Sequence, residues 1–323
     1  MLGPVVVLGG YGRVGRLCVQ ELAARTRAPI RVAGRNVQRA ESLALSFGDR
    51  ASAGYADASE PRVLARVLEG AAAVLACCGG DQVRALQCAL ELRVPFVGLS
   101  PVPLPARSRA HVAELAWKAQ VPVVLHAGAL PGIPGILAES LVRRVAAMQR
   151  LEIASTGPFL ETETARRDQA EARASEPARG RRLPELWRFS EPIGRRALGQ
   201  AACADLTGFA ESHLVGELRY LEPREGAFAR AISRVVSRGA GAGFAVAARA
   251  FAQADAREPV AEIELLAADA LTPAAALAGA LTAAVLEGHV PAGLSAPREA
   301  IAPAAALGEL EKRGVRVRSE PRA

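Results

Sequence analysis

Val5-Val6-Val7-Leu8-Gly9-Gly10-Tyr11-Gly12-Arg13-Val14-Gly15 is the stretch that decides the fold of this chain. The four apolar residues read as a buried strand, the glycines as a tight turn, and the residues behind them as the start of a helix. Gly10, Gly12 and Gly15 fit G-x-G-x-x-G in the strand–turn–helix setting that gives the pattern meaning. Gly10 permits the turn, Gly12 lets a pyrophosphate approach the backbone, and Gly15 lets helix and strand pack closely. A helix that opens behind such a turn presents N–H groups and the positive end of its dipole, which suits phosphate. Gly10, Tyr11, Gly12, Arg13, Val14 and Gly15 are therefore the expected pyrophosphate cradle of a dinucleotide.

The second strand bears on which dinucleotide. Ile30-Arg31-Val32-Ala33 ends in Gly34-Arg35-Asn36. A site for NAD usually places a carboxylate here, to accept from the ribose 2′-hydroxyl. This turn carries none. It carries Arg35, whose guanidinium suits a 2′-phosphate. NADP is the expected cofactor, in preference to NAD, and Gly34, Arg35 and Asn36 join the expected binding set.

Beyond this turn, helix and strand alternate at short spacing. Strands are expected near 53–56, 71–76, 95–99 and 121–125. Helices are expected at 37–47, 59–68 (Ser59 as N-cap), 81–92 and 106–119. This alternation argues for a doubly wound parallel sheet of the Rossmann type. Beyond Ala127 the pattern changes. Gly128 to Gly135 leads into a helix to about residue 147. Strands are expected at 151–155, 213–221 and 260–267, with a small-residue helix around 228–252. The charged stretch 161–182 reads as an exposed insertion, with a lid as the alternative. A long Ala/Leu-rich helix from Thr272 to Glu287 and a second at 304–313 form a tail expected to return to the first domain. The expected organisation is a nucleotide domain of residues 1–132 plus 272–323, and an α+β substrate or dimerisation domain of residues 133–271.

Composition limits the partners. Net charge is +7, but the only lysines are Lys118 and Lys312, so the basic charge is almost all arginine. It is spread along the chain with no basic tract interleaved with aromatics, which argues against nucleic acid. Cys18, Cys77, Cys78, Cys88 and Cys203 make neither a disulfide framework nor a zinc pattern. Reduced thiols in a cytoplasm are the expected state, and no metal is expected. The chain enters its first strand without a signal-like leader, and no apolar run reaches the length of a membrane span.

The glycine turn, the Ala33-Gly34-Arg35 ending, Asp57 and the Gly128–Gly135 loop together resemble the saccharopine dehydrogenase-like oxidoreductases. The tail from Gly279 to Val317 adds to the resemblance, which is weak in the middle of the chain. It implies an NADP-binding Rossmann domain and a second α+β domain that often forms a homodimer. It also implies that Asp57 contacts the adenine, and that the turn of Gly128, Pro131 and Gly132 lies near the nicotinamide. The family reduces or oxidises C=N bonds of amino acids and polyamines, and C=C bonds in enoyl reductases.

Ligands of an open parallel sheet bind beyond the carboxyl ends of its strands. That rule selects Cys78 and Gly79 after the fourth strand, Ser100 after the fifth, and His126 and Gly128 after the sixth. His126 is the candidate proton donor, with a structural histidine as the alternative. Cys78 is a candidate nucleophile, with a buried strand-end thiol as the alternative. His213, Asp168 and the pair Arg195-Arg196 are further polar groups of the second domain, the last a conceivable carboxylate clamp. The expected function is transfer of hydride between NADP(H) and a C=N or C=C bond of a small metabolite. An enoyl reductase acting on a thioester or carrier-bound chain, and a non-catalytic NADP-binding regulator or partner protein, are the alternatives.

Overall fold

A computed structural model of the chain describes residues 3–79, 82–101, 104, 106–157, 184–223 and 241–321. They gather into two compact units.

The first unit is built on a sheet of β1 (Val5–Leu8), β2 (Ile30–Gly34), β3 (Ala51–Tyr55), β4 (Ala73–Ala76), β5 (Phe96–Gly98), β6 (Pro122–Val124) and β13 (Gly293–Ser295). The spatial order is β13-β6-β5-β4-β1-β2-β3, and every neighbouring pair is parallel. β1 is buried along its whole length. A strand covered on both faces needs a continuous apolar run rather than an alternating one, and Val5-Val6-Val7-Leu8 supplies it. The chain leaves β1 toward β2 and β3, then crosses to β4 on the other side. The order of strands therefore reverses beside β1, where such sheets bind ligands. Helices α1 (Arg13–Arg25), α2 (Val37–Leu45), α3 (Pro61–Leu68), α4 (Gln82–Glu91) and α5 (Ala106–Ala119) make the crossovers. The Leu271–Leu286 helix packs on α1. A Cβ on its Gly279 would stand 2.7 Å from the Cβ of Glu21, so small residues let the two helices approach closely.

The expected α/β class and Rossmann-type parallel sheet are what the structure shows. Local details differ. α3 has Glu60, not Ser59, at its N-cap. Both the N–H and the hydroxyl of Ser59 are taken by the Asp57 carboxylate instead. β13 was not foreseen, because three residues between Pro291 and Pro297 carry too little pattern to read as a strand.

The second unit contains α6 (Ile133–Val142) and a sheet of β7 (Arg150–Ser155), β8 (Glu185–Arg188), β9 (Arg195–Ala201), β10 (Glu217–Glu222), β11 (Phe244–Phe251), β12 (Ala261–Ala267) and β14 (Arg316–Pro321). Its order is β14-β12-β11-β7-β10-β9-β8. α6 packs on β11, and the Pro303–Glu311 helix packs on α6. The helix expected around 228–252 is corrected here for residues 244–251. Phe244-Ala-Val-Ala-Ala-Arg-Ala-Phe251 is Ala-rich and suits a helix by propensity. It is nevertheless a strand, held antiparallel to β7 on one side and β12 on the other. Pairing on both edges overrides a weak local preference. The 161–182 lid, Asp168, and residues 228–240 of the expected helix lie outside the described residues.

The tail divides. Residues 271–302 group with the first unit and 303–323 with the second, where β14 adds an edge strand beside β12.

Candidate functional site

The carboxyl end of β1 runs straight into the glycine turn. The Gly9 N–H donates to the Ala33 carbonyl of β2 at 2.8 Å, and the Gly12 N–H returns to the Gly9 carbonyl at 2.9 Å. Gly15 is buried against this turn. A Cβ there would lie 2.2 Å from the Gly9 oxygen and 2.8 Å from the Gly10 Cα, so no side chain fits. Gly12 differs. It is exposed, and a Cβ would meet only the Gly9 oxygen, at 3.1 Å. Gly12 is also the N-cap of α1, with no side-chain cap and no acidic residue in the first turn. A helix start without a side-chain cap leaves donors for an anion. The cradle therefore fits a pyrophosphate on geometry as well as on motif.

The edge toward β2 is built around Tyr11. Its ring lies on Gly34, where a Cβ would stand 2.6 Å from the ring. Its hydroxyl accepts the Asn36 N–H at 3.0 Å. The Asn36 side chain accepts from the Arg39 N–H at 2.9 Å and so caps α2. Gly34 and Asn36 thus hold Tyr11 and α2 in place, while Arg35 projects exposed between them. Asp57 stands at the end of β3. Hydrogen bonds from the hydroxyl and N–H of Ser59 hold its carboxyl below the usual range, against a smaller effect of burial, and the charges of Arg35 and Arg84 add to the lowering.

On the other side of β1, the ends of β4, β5 and β6 come together. The Cys77 N–H donates to the Leu8 carbonyl at 2.9 Å. A Cβ on Gly9 would lie 3.2 Å from the Cys78 nitrogen, so the backbone of Cys77 and Cys78 abuts the glycine turn. The Cys77 thiol hydrogen-bonds with Cys18, which together with burial pushes its pKa well above the usual value. It is therefore no ready thiolate. Gly79 is buried and Ser100 half-buried at the same edge. A Cβ on Gly128 would lie 2.8 Å from the Leu99 oxygen, which brings the β6 loop against the end of β5. At Gly132 φ is +133°, a conformation that favours glycine. A Cβ there would also strike the Gly128 oxygen at 2.3 Å.

His126 is 3% exposed, and its Nδ1 has no hydrogen-bond partner. Its φ of +67° makes it one of the non-glycine residues in the left-handed region. The Leu125 N–H bonds to the Ser295 carbonyl of β13 at 3.1 Å. The Pro297–Ala300 helix that follows β13 therefore starts beside the His126 loop. Burial, with the cations of Arg109 and Arg298, lowers the His126 pKa to about 4. At neutral pH the ring is neutral. It is placed where a proton donor was expected but does not carry the charge of an imidazolium acid.

Sequence reasoning missed Gln82, the first residue of α4. It is 2% exposed, and neither of its amide atoms has a hydrogen-bond partner. The only signal available was a polar residue six residues behind a strand end.

Among the described polar groups expected in the second unit, Arg196 and His213 have structural partners. Arg196 donates to the carbonyls of Ile193, Arg195 and Gly241, so its guanidinium holds backbone. His213 stacks on Phe209 with ring centroids 4.2 Å apart, and its Nε2 lies 3.0 Å from Glu139. A buried network was not foreseen. The Asp205 carboxylate accepts the Gly135 N–H of α6 at 2.7 Å and the Cys203 thiol at 2.8 Å, and Ser155 pairs with Tyr220 at 2.9 Å. Burial, and after it the charge of Asp205, pushes the Cys203 thiol well above its usual pKa. Among the described residues no group of three or more His, Cys, Asp or Glu could hold a metal, and no helix is long and apolar enough to cross a membrane.

A family model described as NAD(P)H-binding matches residues 9–127. No curated protein matches the sequence. Solved structures share the fold. Saccharopine dehydrogenase (L-Glu forming) from Saccharomyces cerevisiae aligns with a TM-score of 0.66 at 12% identity, over 99% of this chain and 100% of that one. GenD2 from gentamicin A biosynthesis, solved in complex with NAD, gives 0.51 at 13% identity over 98% and 96%. A myo-inositol dehydrogenase from Corynebacterium glutamicum gives 0.50 at 15% identity over the full length of both chains. The turn built by Gly9 to Gly15 thus opens the stretch that the NAD(P)H-binding model matches, in a chain that shares its fold with saccharopine dehydrogenase over 99% of its length.

Proposed function

We propose that the protein is an NADP(H)-dependent oxidoreductase acting on a C=N or C=C bond of a small metabolite. The observation that carries this reading is the open backbone at Gly12, exposed and uncapped at the start of α1, beside the point where strand order reverses. A nicotinamide cofactor, when bound, supplies or accepts the hydride. The chain's own residues bind and orient. Gly10 to Gly15 would hold the pyrophosphate, and Asp57 would stand on the adenine side. Cys78, Gly79, Ser100 and Gly128 would line the edge on the nicotinamide side. His126 would serve as a neutral hydrogen-bonding ring toward the reacting end. Arg35 supports NADP over NAD: it is exposed at the β2 turn, and the carboxylate typical of NAD sites is missing there. The resemblance that points to the reaction also points to a homodimer, and the five cysteines without a disulfide framework point to a cytoplasm.

Arg35→Ala is expected to weaken NADPH binding about 10- to 100-fold, as loss of a charge-assisted contact does. NADH binding should change less than about threefold, since the 2′-hydroxyl offers that guanidinium little to hold. Calorimetric titration of both proteins with both cofactors reads this. Equal affinity of the native protein for NADPH and NADH overturns the assignment of NADP. Hydride transfer is read at 340 nm with a panel of imines and enoyl thioesters. Tight NADPH binding with no turnover on either class would favour a binding role.

A further inference from the structure

Among the described residues of the first unit, Gln82 is buried with both side-chain amide atoms unpartnered. It opens α4, six residues after the last residue of β4, with its backbone N–H on the Gly79 carbonyl at 3.1 Å. The amide lies against the Cα of Gly98, the last residue of β5. A Cβ on Gly98 would stand 2.5 Å from the Gln82 Oε1 and 2.9 Å from the Phe96 ring. Glycine at 98 thus makes the room the amide occupies, and the Phe96 ring closes the apolar side of it.

A buried carboxamide with no partner destabilises a fold, and an apolar side chain of similar size would remove that penalty. At sites that keep such a conflict, a ligand, an ion or an ordered water completes the bonding. The position says which part of a ligand. The Gly98 carbonyl accepts the Ala127 N–H at 2.8 Å, and the β6 loop touches Leu99 through Gly128. Gln82 therefore sits where the ends of β4, β5 and β6 meet, on the opposite side of β1 from β2 and Arg35. A dinucleotide with its pyrophosphate at Gly10–Gly15 and its adenosine toward Arg35 directs its nicotinamide half to this side. Nicotinamide carries a carboxamide, one acceptor and one N–H₂ donor, which complements the amide of glutamine. Resting on the cofactor reading above, we infer that Gln82 is a cofactor-binding residue that receives the nicotinamide carboxamide and fixes the ring's orientation.

The test separates the two halves of the cofactor. Wild type and Gln82→Leu are titrated with NADPH and with 2′-phospho-ADP-ribose, which lacks the nicotinamide, and the ligand-free proteins are melted. Gln82→Leu should lose 10- to 100-fold in NADPH affinity, hold its affinity for 2′-phospho-ADP-ribose within twofold, and melt higher than wild type. Gly98→Ala, whose methyl displaces the amide, should show the same split between ligands without the rise in melting temperature. Gln82→Met serves if the leucine variant does not fold. Unchanged NADPH affinity overturns the inference, as does an equal loss for both ligands with a lower melting temperature, the mark of a structural glutamine. A wild type that binds neither probe removes the cofactor reading itself, and this inference with it.

Discussion

Gly12→Val is expected to lose at least 100-fold in NADPH affinity, about 3 kcal/mol or more, in a protein that still folds. Gly15→Val is expected to destabilise the first unit by more than about 4 kcal/mol, the range of severe backbone overlap in a core. The two glycines share a motif but meet different surroundings. At Gly12 a Cβ approaches only one protein atom within contact range, the Gly9 oxygen. The remaining space is what the pyrophosphate would occupy, so the valine competes with the ligand and not with the fold. At Gly15 a Cβ overlaps the Gly9 oxygen and the Gly10 backbone. Relief there requires moving the turn or lifting α1 off the sheet. Fluorescence titration with NADPH and urea melts of both variants read the contrast. A folded Gly12→Val protein with native affinity would place the nucleotide elsewhere. A fully stable Gly15→Val protein would contradict the close contact between turn and helix.

The second large effect is in acid. The His126 pKa is about 4 in the folded chain, against about 6.5 when unfolded. Between those values the unfolded chain binds a proton that the folded chain does not, so stability falls as pH falls from about 6.5 to about 4. The loss is complete below the folded value and amounts to about 3 kcal/mol. His126→Asn removes the titration, and asparagine tolerates the left-handed backbone at this position. Urea unfolding from pH 7 to pH 4 should show wild type losing about 3 kcal/mol more than the variant. Parallel curves for the two proteins would mean that the folded and unfolded pKa values coincide, so that the ring takes up its proton in the fold near pH 6.5.

Residues 5–15 and the Arg35 turn were legible because their information is local. A buried parallel strand needs an uninterrupted apolar run, and a phosphate turn needs glycines at set offsets, so a few consecutive residues determine both. The same holds for the alternation of helix and strand through residue 125, where each element carries its own period. What lay beyond the sequence depends on partners far away in the chain. Phe244–Phe251 is Ala-rich enough for a helix and becomes a strand only because β7 and β12 pair with its two edges. The end of the tail belongs to the second sheet because β12 offers an edge to β14. The sequence offers Arg196 as half of a carboxylate clamp, and the Gly241 carbonyl that accepts from its guanidinium lies 45 residues away. Gln82 looked like an ordinary helix residue until Gly98 left room beside β5 for an amide with nothing to bond. The sequence by itself determined the glycine turn behind β1 and the winding of the first sheet, since sterics and hydrophobic period act between near neighbours. Only the tertiary structure decided β11 and the edge strands of the second sheet and which polar side chains are spent or left unpaired, because pairing and burial are set by whichever distant segment arrives alongside.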